Sequence, residues 1–249
     1  MPDPTVADAA AGWADLHLHV LPGIDDGARD LQASLEMCRG LADLGYRRLI
    51  ATPHADGRRH TYGPDRIQAL CGEVQTALTA EGIPIELGWG AEYAYGDRFH
   101  QDLTGAGLIT LGNSRYILLE LPEQFMPATM PQVLFEVGTA GYFPIIAHPE
   151  RCEPFHDNLD RLLQIAGGRA IIQVSFRSLA GTFGRTIKKT AWRLVEDGHA
   201  ELLATDCHSP KELKKIVRPV LKALHRKVSA DRLDRMLRRT PHRMLSEIR

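Results

Sequence analysis

The chain has 249 residues, 44% hydrophobic and 24% charged, with a net charge of −1, which suits a well-buried α/β domain and excludes disordered and fibrous classes. No apolar stretch approaches the roughly 18 residues of a membrane span, and Met1-Pro2-Asp3-Pro4 opens no basic-then-hydrophobic leader, so a cytoplasmic protein is expected. The four cysteines (Cys38, Cys71, Cys152, Cys207) form no C-x-x-C pair, which argues against a zinc knot or a disulfide framework.

Seven short apolar runs follow one another along the chain, and each ends in polar or ligand-type residues. The first, Trp13 to His19, ends in His17-Leu18-His19 and is followed by Asp25-Asp26-Gly27. The second, Leu49 to Pro53, ends in His54; the third reaches Gly90-Ala91-Glu92; the fourth, Tyr116 to Leu119, reaches Glu120. The fifth, Pro144 to Ala147, ends in His148-Pro149-Glu150-Arg151, the sixth, Ala170 to Val174, in Ser175, and the seventh, Leu202 to Thr205, in Asp206-Cys207-His208.

Between these runs, apolar residues recur at spacings of three and four. They predict helices over 31–44, 64–80, 130–140, 159–166, 186–197, 212–226 and 230–238, with a short helix closing the chain. The β-α-β-α order implies parallel strands, and seven of them favour a closed or nearly closed barrel over an open sheet. No linker-like tract divides the chain, so a single domain over 1–249 is expected, with a short N-terminal extension (1–12) and a basic helical C-terminal part (211–249). That basic part carries 13 Lys+Arg against 4 Asp+Glu, and the rest 17 against 27. The imbalance reads as a solvated helical face or as a surface for an acidic partner or anionic substrate. No nucleic-acid recognition motif accompanies it.

The rim formed by the C-terminal ends of such strands is where this architecture carries its chemistry. His17 and His19 lie two apart on an extended strand and project toward one face; Asp206 and His208 repeat the arrangement on the last strand. With Asp26, His54, Glu92, Glu120 and His148 they make nine candidate metal ligands. The mixed imidazole and carboxylate set without thiolate suits Mn, Fe or Zn. Nine ligands exceed the needs of one tetrahedral ion and fit two or three. Arg151 is no ligand; a guanidinium beside a cationic cluster suits an anion such as phosphate.

At these residues the chain resembles the PHP (polymerase and histidinol phosphatase) superfamily, and within it the bacterial capsule and exopolysaccharide tyrosine-protein phosphatases. The matching segments include Asp15-Leu16-His17-Leu18-His19, Leu21 to Ala28, Ile50 to His54, Gly90-Ala91-Glu92, Leu111 to Tyr116, Pro144 to Arg151, Ser178 to Gly184 and Thr205 to His208. The resemblance implies a distorted (β/α)7 TIM-like barrel of the PHP type with a trinuclear, Mn-dependent centre. It assigns His17, His19, Glu92 and Asp206 to one ion, Glu92, Glu120 and His148 to a second, and Asp26, His54 and His208 to a third. It makes Arg151, Asp206 and His208 catalytic and Arg151 the phosphate-binding residue, with Arg218 of Arg218-Pro219 standing in for a second arginine. Arg177 occupies a position where the family usually has a small or polar residue, which would narrow the pocket.

The activity implied is metal-assisted hydrolysis of phosphotyrosine, with the C-terminal tail of a bacterial tyrosine kinase as the protein substrate. A histidinol-phosphatase-type phosphomonoesterase would share nearly every ligand, a PHP nuclease would fit the basic C-terminal part, and a non-catalytic phosphopeptide-binding scaffold would not need nine ligands.

Overall fold

The computed structural model describes residues 12–57 and 59–247. Apart from Gly12, the expected N-terminal extension therefore lies outside the described residues. The strands are β1 (Trp13–Leu18), β2 (Tyr46–Ala51), β3 (His54–Ala55), β4 (Glu86–Trp89), β5 (Glu92–Ala94), β6 (Tyr116–Glu120), β7 (Phe143–Ala147), β8 (Ile171–Ser175) and β9 (Leu202–Ala204). All pair in parallel, in the orders β1-β2-β4 and β3-β5-β6-β7-β8-β9.

The seven expected strands are thus nine, because the second and third are each broken. The second breaks at Thr52-Pro53, where proline has no N–H to give a ladder. The third breaks at Gly90-Ala91, where a Cβ on Gly90 would come within 2.7 Å of the Leu111 side chain. The breaks face each other: Gly90 N donates to Ala51 O (2.8 Å) and Glu92 N to Pro53 O (3.0 Å). Both strands therefore resume together, and His54 and Glu92 become register partners at the start of β3 and β5. Elsewhere Asp206 N donates to His17 O and His19 N to Cys207 O, each at 3.0 Å, tying the C-terminal end of β1 to the residues after β9.

The helices are α1 (Leu31–Ala42), α2 (Pro64–Ala80), α3 (Asp97–Thr104), α4 (Met130–Thr139), α5 (Leu159–Ala166), α6 (Phe176–Ala180), α7 (Arg185–Glu196), α8 (Pro210–Glu212), α9 (Arg218–Lys227), α10 (Ala230–Asp234) and α11 (Thr240–Ser246). π-helical turns over Leu213–Val217 and Arg235–Arg239 join α8 to α9 and α10 to α11. The predicted helices are present within a few residues of their expected bounds. α1 begins at Asp30, whose carboxylate accepts from Ala33 N at 2.8 Å, the usual way to satisfy a first-turn donor. Apolar periodicity does not mark α3, which buries only Phe99, or α6, which is five residues long. The basic C-terminal part lays Leu213, Ile216, Val217, Val220 and Leu224 against the core and exposes Lys211, Lys215, Lys222 and Arg226.

Strand alternation produces two apolar layers. Ile117, Leu119, Ile146, Ile172 and Val174 belong to the large cluster with the helices. Leu16, Ile50, Leu118, Ile145, Ile171 and Leu202 form a smaller inner cluster, joined by Met244 and Leu245 of α11. Two residues beyond inner-cluster members the same strand face carries polar groups: Glu120 follows Leu118 and Gln173 follows Ile171. The polar site therefore stands on an apolar floor. Among the described residues no helix is long and apolar enough to cross a membrane.

Ile145 is fully buried in the inner cluster, so Ile145→Ala should lower the unfolding free energy by about 2–5 kcal/mol. Urea unfolding in the presence of a chelator measures it; a loss below about 1 kcal/mol would show that the cluster collapses around the gap.

Candidate metal centre

Glu92 lies at the middle of the polar cluster. It opens β5 and is 1% exposed. Its Oε1 stands 2.8 Å from His148 Nε2 and 3.3 Å from His17 Nε2, and its Oε2 stands 3.0 Å from His54 Nδ1 and 3.4 Å from His19 Nε2. Four imidazoles in or directly after three strands, β1, β3 and β7, thus meet one carboxylate. Asp206 forms a second focus, with Oδ1 3.6 Å from His17 Nε2, 3.7 Å from His19 Nε2 and 3.6 Å from His208 Nδ1. Asp26, after the first strand, reaches His54 Nε2 at 3.3 Å and His208 Nε2 at 3.4 Å. Glu120 Oε1 lies 3.8 Å from His148 Nε2.

Backbone strain helps place these groups. His148 and Asp206 have φ of +32° and +51°, a left-handed conformation uncommon for non-glycine residues. His148 turns the chain directly after β7 and Asp206 two residues past the end of β9, and each directs a side chain into the cluster. Partners outside the predicted set fix the rings: Asp25 Oδ2 accepts from His19 Nδ1 at 2.8 Å, and Gln173 Oε1 lies 3.1 Å from His17 Nδ1. Such contacts on the far nitrogen orient an imidazole toward a metal. The sequence offered Asp25 beside Asp26 but no reason to choose Gln173 inside an apolar strand.

The electrostatics call for positive charge. Burial alone would lower His17, His19 and His54, yet the surrounding carboxylates win. Glu92 and Asp206 raise His17; Asp25 and Glu92 raise His19 to about 9; Asp26 and Glu92 raise His54 to about 11. Burial opposes ionisation of Glu92, but its imidazole neighbours hold it well below the usual carboxylate range. Burial raises Glu120 to about 7, with repulsion from Glu92 adding to it, and burial with the Arg151 charge lowers His148 to about 4. Divalent cations would meet this demand while leaving the imidazoles neutral and their lone pairs free to ligate.

Three groups of donor atoms lie within 4.8 Å of one another: His19, Asp26, His54 and His208; His17, His19 and Glu92; and His54, Glu92 and Glu120. They include seven of the nine predicted ligands. The other two, His148 and Asp206, touch the same cluster through Glu92 and His17. The donor set therefore fits more than one ion with shared carboxylates.

Arg151 approaches the cluster from the turn after β7. Its guanidinium pairs with Asp206 Oδ2 rather than with Glu150 or Glu153, the neighbours that a plain rim salt bridge would use. Its Nε has no hydrogen-bond partner. Arg218 is not brought here: it is exposed at the start of α9 and takes no part in the contacts above. Arg177 is brought here, with Nη1 3.2 Å from His208 Nδ1 and 4.0 Å from Asp206 Oδ1.

Comparison with known proteins agrees with this arrangement. The family described as "Capsular polysaccharide synthesis, CpsB/CapC" matches residues 13–246. The tyrosine-protein phosphatase YwqE of Bacillus subtilis (strain 168) is 34% identical over 197 residues, covering 79% of this chain and 78% of the relative. The CpsB tyrosine-protein phosphatase of Streptococcus pneumoniae is 22% identical over 200 residues, covering 78% and 82%. A chain from the crystal structures of YwqE from B. subtilis and CpsB from S. pneumoniae, metal-dependent tyrosine phosphatases, superposes with a TM-score of 0.82 at 31% identity, covering 95% of each chain. A phosphotriesterase homology protein from Escherichia coli superposes with a TM-score of 0.54 at 15% identity, a likeness of fold alone.

Because Glu92 touches four imidazoles, Glu92→Gln should lower bound metal per chain, with the helical circular dichroism signal unchanged. Elemental analysis after dialysis against Mn reads the outcome; full metal content in Glu92→Gln would remove Glu92 from the ligand set.

Proposed function

We propose a function from one premise: the chain belongs to the capsular polysaccharide synthesis CpsB/CapC family. It is a metal-dependent protein-tyrosine phosphatase, a phosphoric monoester hydrolase acting on phosphotyrosine. The observation that carries this reading is the buried imidazole–carboxylate cluster with the Arg151 guanidinium at its edge. Residues 13–246 act as one unit, a distorted (β/α)7 barrel of the PHP type. The backbone bonds between the ends of β1 and β9 support closure of that barrel. The substrate is a phosphotyrosine protein, the C-terminal tail of a bacterial tyrosine kinase in capsule or exopolysaccharide synthesis.

The ions are manganese, two or three in number. Held by His17, His19, Asp26, His54, Glu92, Glu120, His148, Asp206 and His208, they would supply Lewis acidity and a water acidified to a pKa of about 7. The chain's own residues do the rest. Asp25 and Gln173 hold the His19 and His17 rings in place. Arg151 offers donors to the phosphate oxygens and so offsets charge that develops in the transition state. A tyrosine phenolate leaves with an ordinary pKa near 10, so expulsion needs no strong acid.

Thiol chemistry lacks support. All four cysteines are buried, and none has an arginine six positions later. Burial pushes Cys38 up to about 12 and Cys71 up to about 11, and Cys207 well above its usual value. A thiolate nucleophile requires the opposite shift.

Chelation should abolish hydrolysis of a phosphotyrosine peptide and Mn should restore it, with Cys152→Ser and Cys207→Ser remaining active. Assays with histidinol phosphate and single-stranded DNA in parallel separate the phosphatase from its relatives in chemistry; preference for either would overturn the substrate assignment. Arg151→Lys keeps the charge but loses the planar fork. Its kcat/KM should fall by roughly 10²–10³, about 3–4 kcal/mol of transition-state contact, at unchanged metal content. Near-normal turnover would reduce Arg151 to a salt bridge.

A further inference from the structure

Two guanidiniums, not one, converge at the edge of the cluster. α6 follows β8 without a loop, and Ser175 caps it, accepting from Arg177 N at 3.1 Å. The same hydroxyl donates to Asp206 Oδ2 at 3.0 Å. α6 then ends at Gly181, with φ of +93°, and both Gly181 N and Thr182 N donate to Arg177 O, at 3.2 and 3.1 Å. The backbone of Arg177 is therefore tied at its N–H to the cap beside Asp206 and at its carbonyl to the turn that carries Phe183. That turn brings the Phe183 ring against both cations. Its centroid lies 4.1 Å from Arg151 Cζ and 5.2 Å from Arg177 Cζ.

The Arg177 side chain is 19% exposed, and the available partners leave it poorly satisfied. Its Nε has no hydrogen bond, and its nearest carboxylates are Glu212 at 3.8 Å and Asp206 at 4.0 Å, while Nη1 abuts the His208 imidazole. Arg151 Nε is likewise buried without a partner. Two neighbouring cations repel, and here the aromatic ring they share offsets part of that repulsion. A pair of planar donors with spare N–H groups at the edge of a metal cluster is complementary to a dianion.

We infer that Arg177 is a second anion-binding residue beside Arg151, and that Phe183 is the positioning residue that holds both guanidiniums ready for the phosphate group. The identity of the anion rests on the phosphatase reading above; the pairing of the two arginines does not.

Calorimetric titration of inorganic phosphate into the Mn-loaded protein tests this, with metal per chain measured for every variant. Arg177→Gln should bind phosphate about ten- to a hundredfold more weakly, as expected for a lost hydrogen bond to a charged group, with metal content unchanged. Arg177→Lys should recover little of it, since the fork is missing. Phe183→Leu, which keeps the apolar volume, should weaken phosphate about two- to fivefold at full metal content. Unchanged phosphate affinity in Arg177→Gln would reduce Arg177 to an ion pair with Glu212 and overturn the inference. Loss of metal in that variant would also overturn it, making Arg177 a support for His208. Failure of phosphate to bind the unmodified protein would do the same. A phosphate affinity that falls as expected in a protein inert toward phosphotyrosine peptide would leave the inference standing and overturn the phosphatase reading instead.

Discussion

The Glu92 carboxylate is sealed inside the protein with an imidazole within 3.4 Å on every contact it makes to His17, His19, His54 and His148. A buried carboxylate without compensation costs several kcal/mol, so these rings stabilise the folded chain as well as shaping its chemistry. Much of the irregular backbone serves that arrangement. The paired breaks at Thr52-Pro53 and Gly90-Ala91 set His54 opposite Glu92, and the left-handed residues His148 and Asp206 turn the chain inward where a regular strand would carry it past. The strain is concentrated where ligand-type groups must converge, and the regular strands below the site bear none of it.

The site belongs to the upper half of a structure whose lower half is apolar. Strand alternation alone explains the change: one face carries Leu118 and then Glu120, or Ile171 and then Gln173, within a single strand. The floor excludes water from beneath the cluster, and electrostatic interactions in such surroundings are stronger than in solvent. This is why side chains as ordinary as Gln173 and Ser175 can fix the orientation of His17 and Asp206.

The strand ends were readable in the sequence because each joins an apolar run to a ligand-type residue, and the family motifs made the set specific. The nine predicted ligand positions meet in one cluster. Arg177 was read only as an obstacle, since a single arginine after a strand gives no hint of which neighbour it will face. Arg218 was favoured by a local Arg-Pro pattern, yet the apolar side of its helix, Val217, Val220 and Leu221, turns the arginine outward. The strand breaks were hidden because Pro53 and Gly90 act through cross-strand geometry, which no local pattern carries. α3 was hidden because one buried phenylalanine makes no stripe.

The inner cluster is closed by Met244 and Leu245 of α11, and His242 Nε2 lies 3.1 Å from Gly12 O. Residues from opposite ends of the described chain thus complete the same layer beneath the imidazole–carboxylate cluster. During synthesis the inner face of β1 is not fully covered until α11 has been made. Contacts so distant in sequence are paid for in loop entropy before they return any stability. The floor beneath the His17 and His19 pair is therefore among the last parts of the inner layer to be completed as the chain emerges.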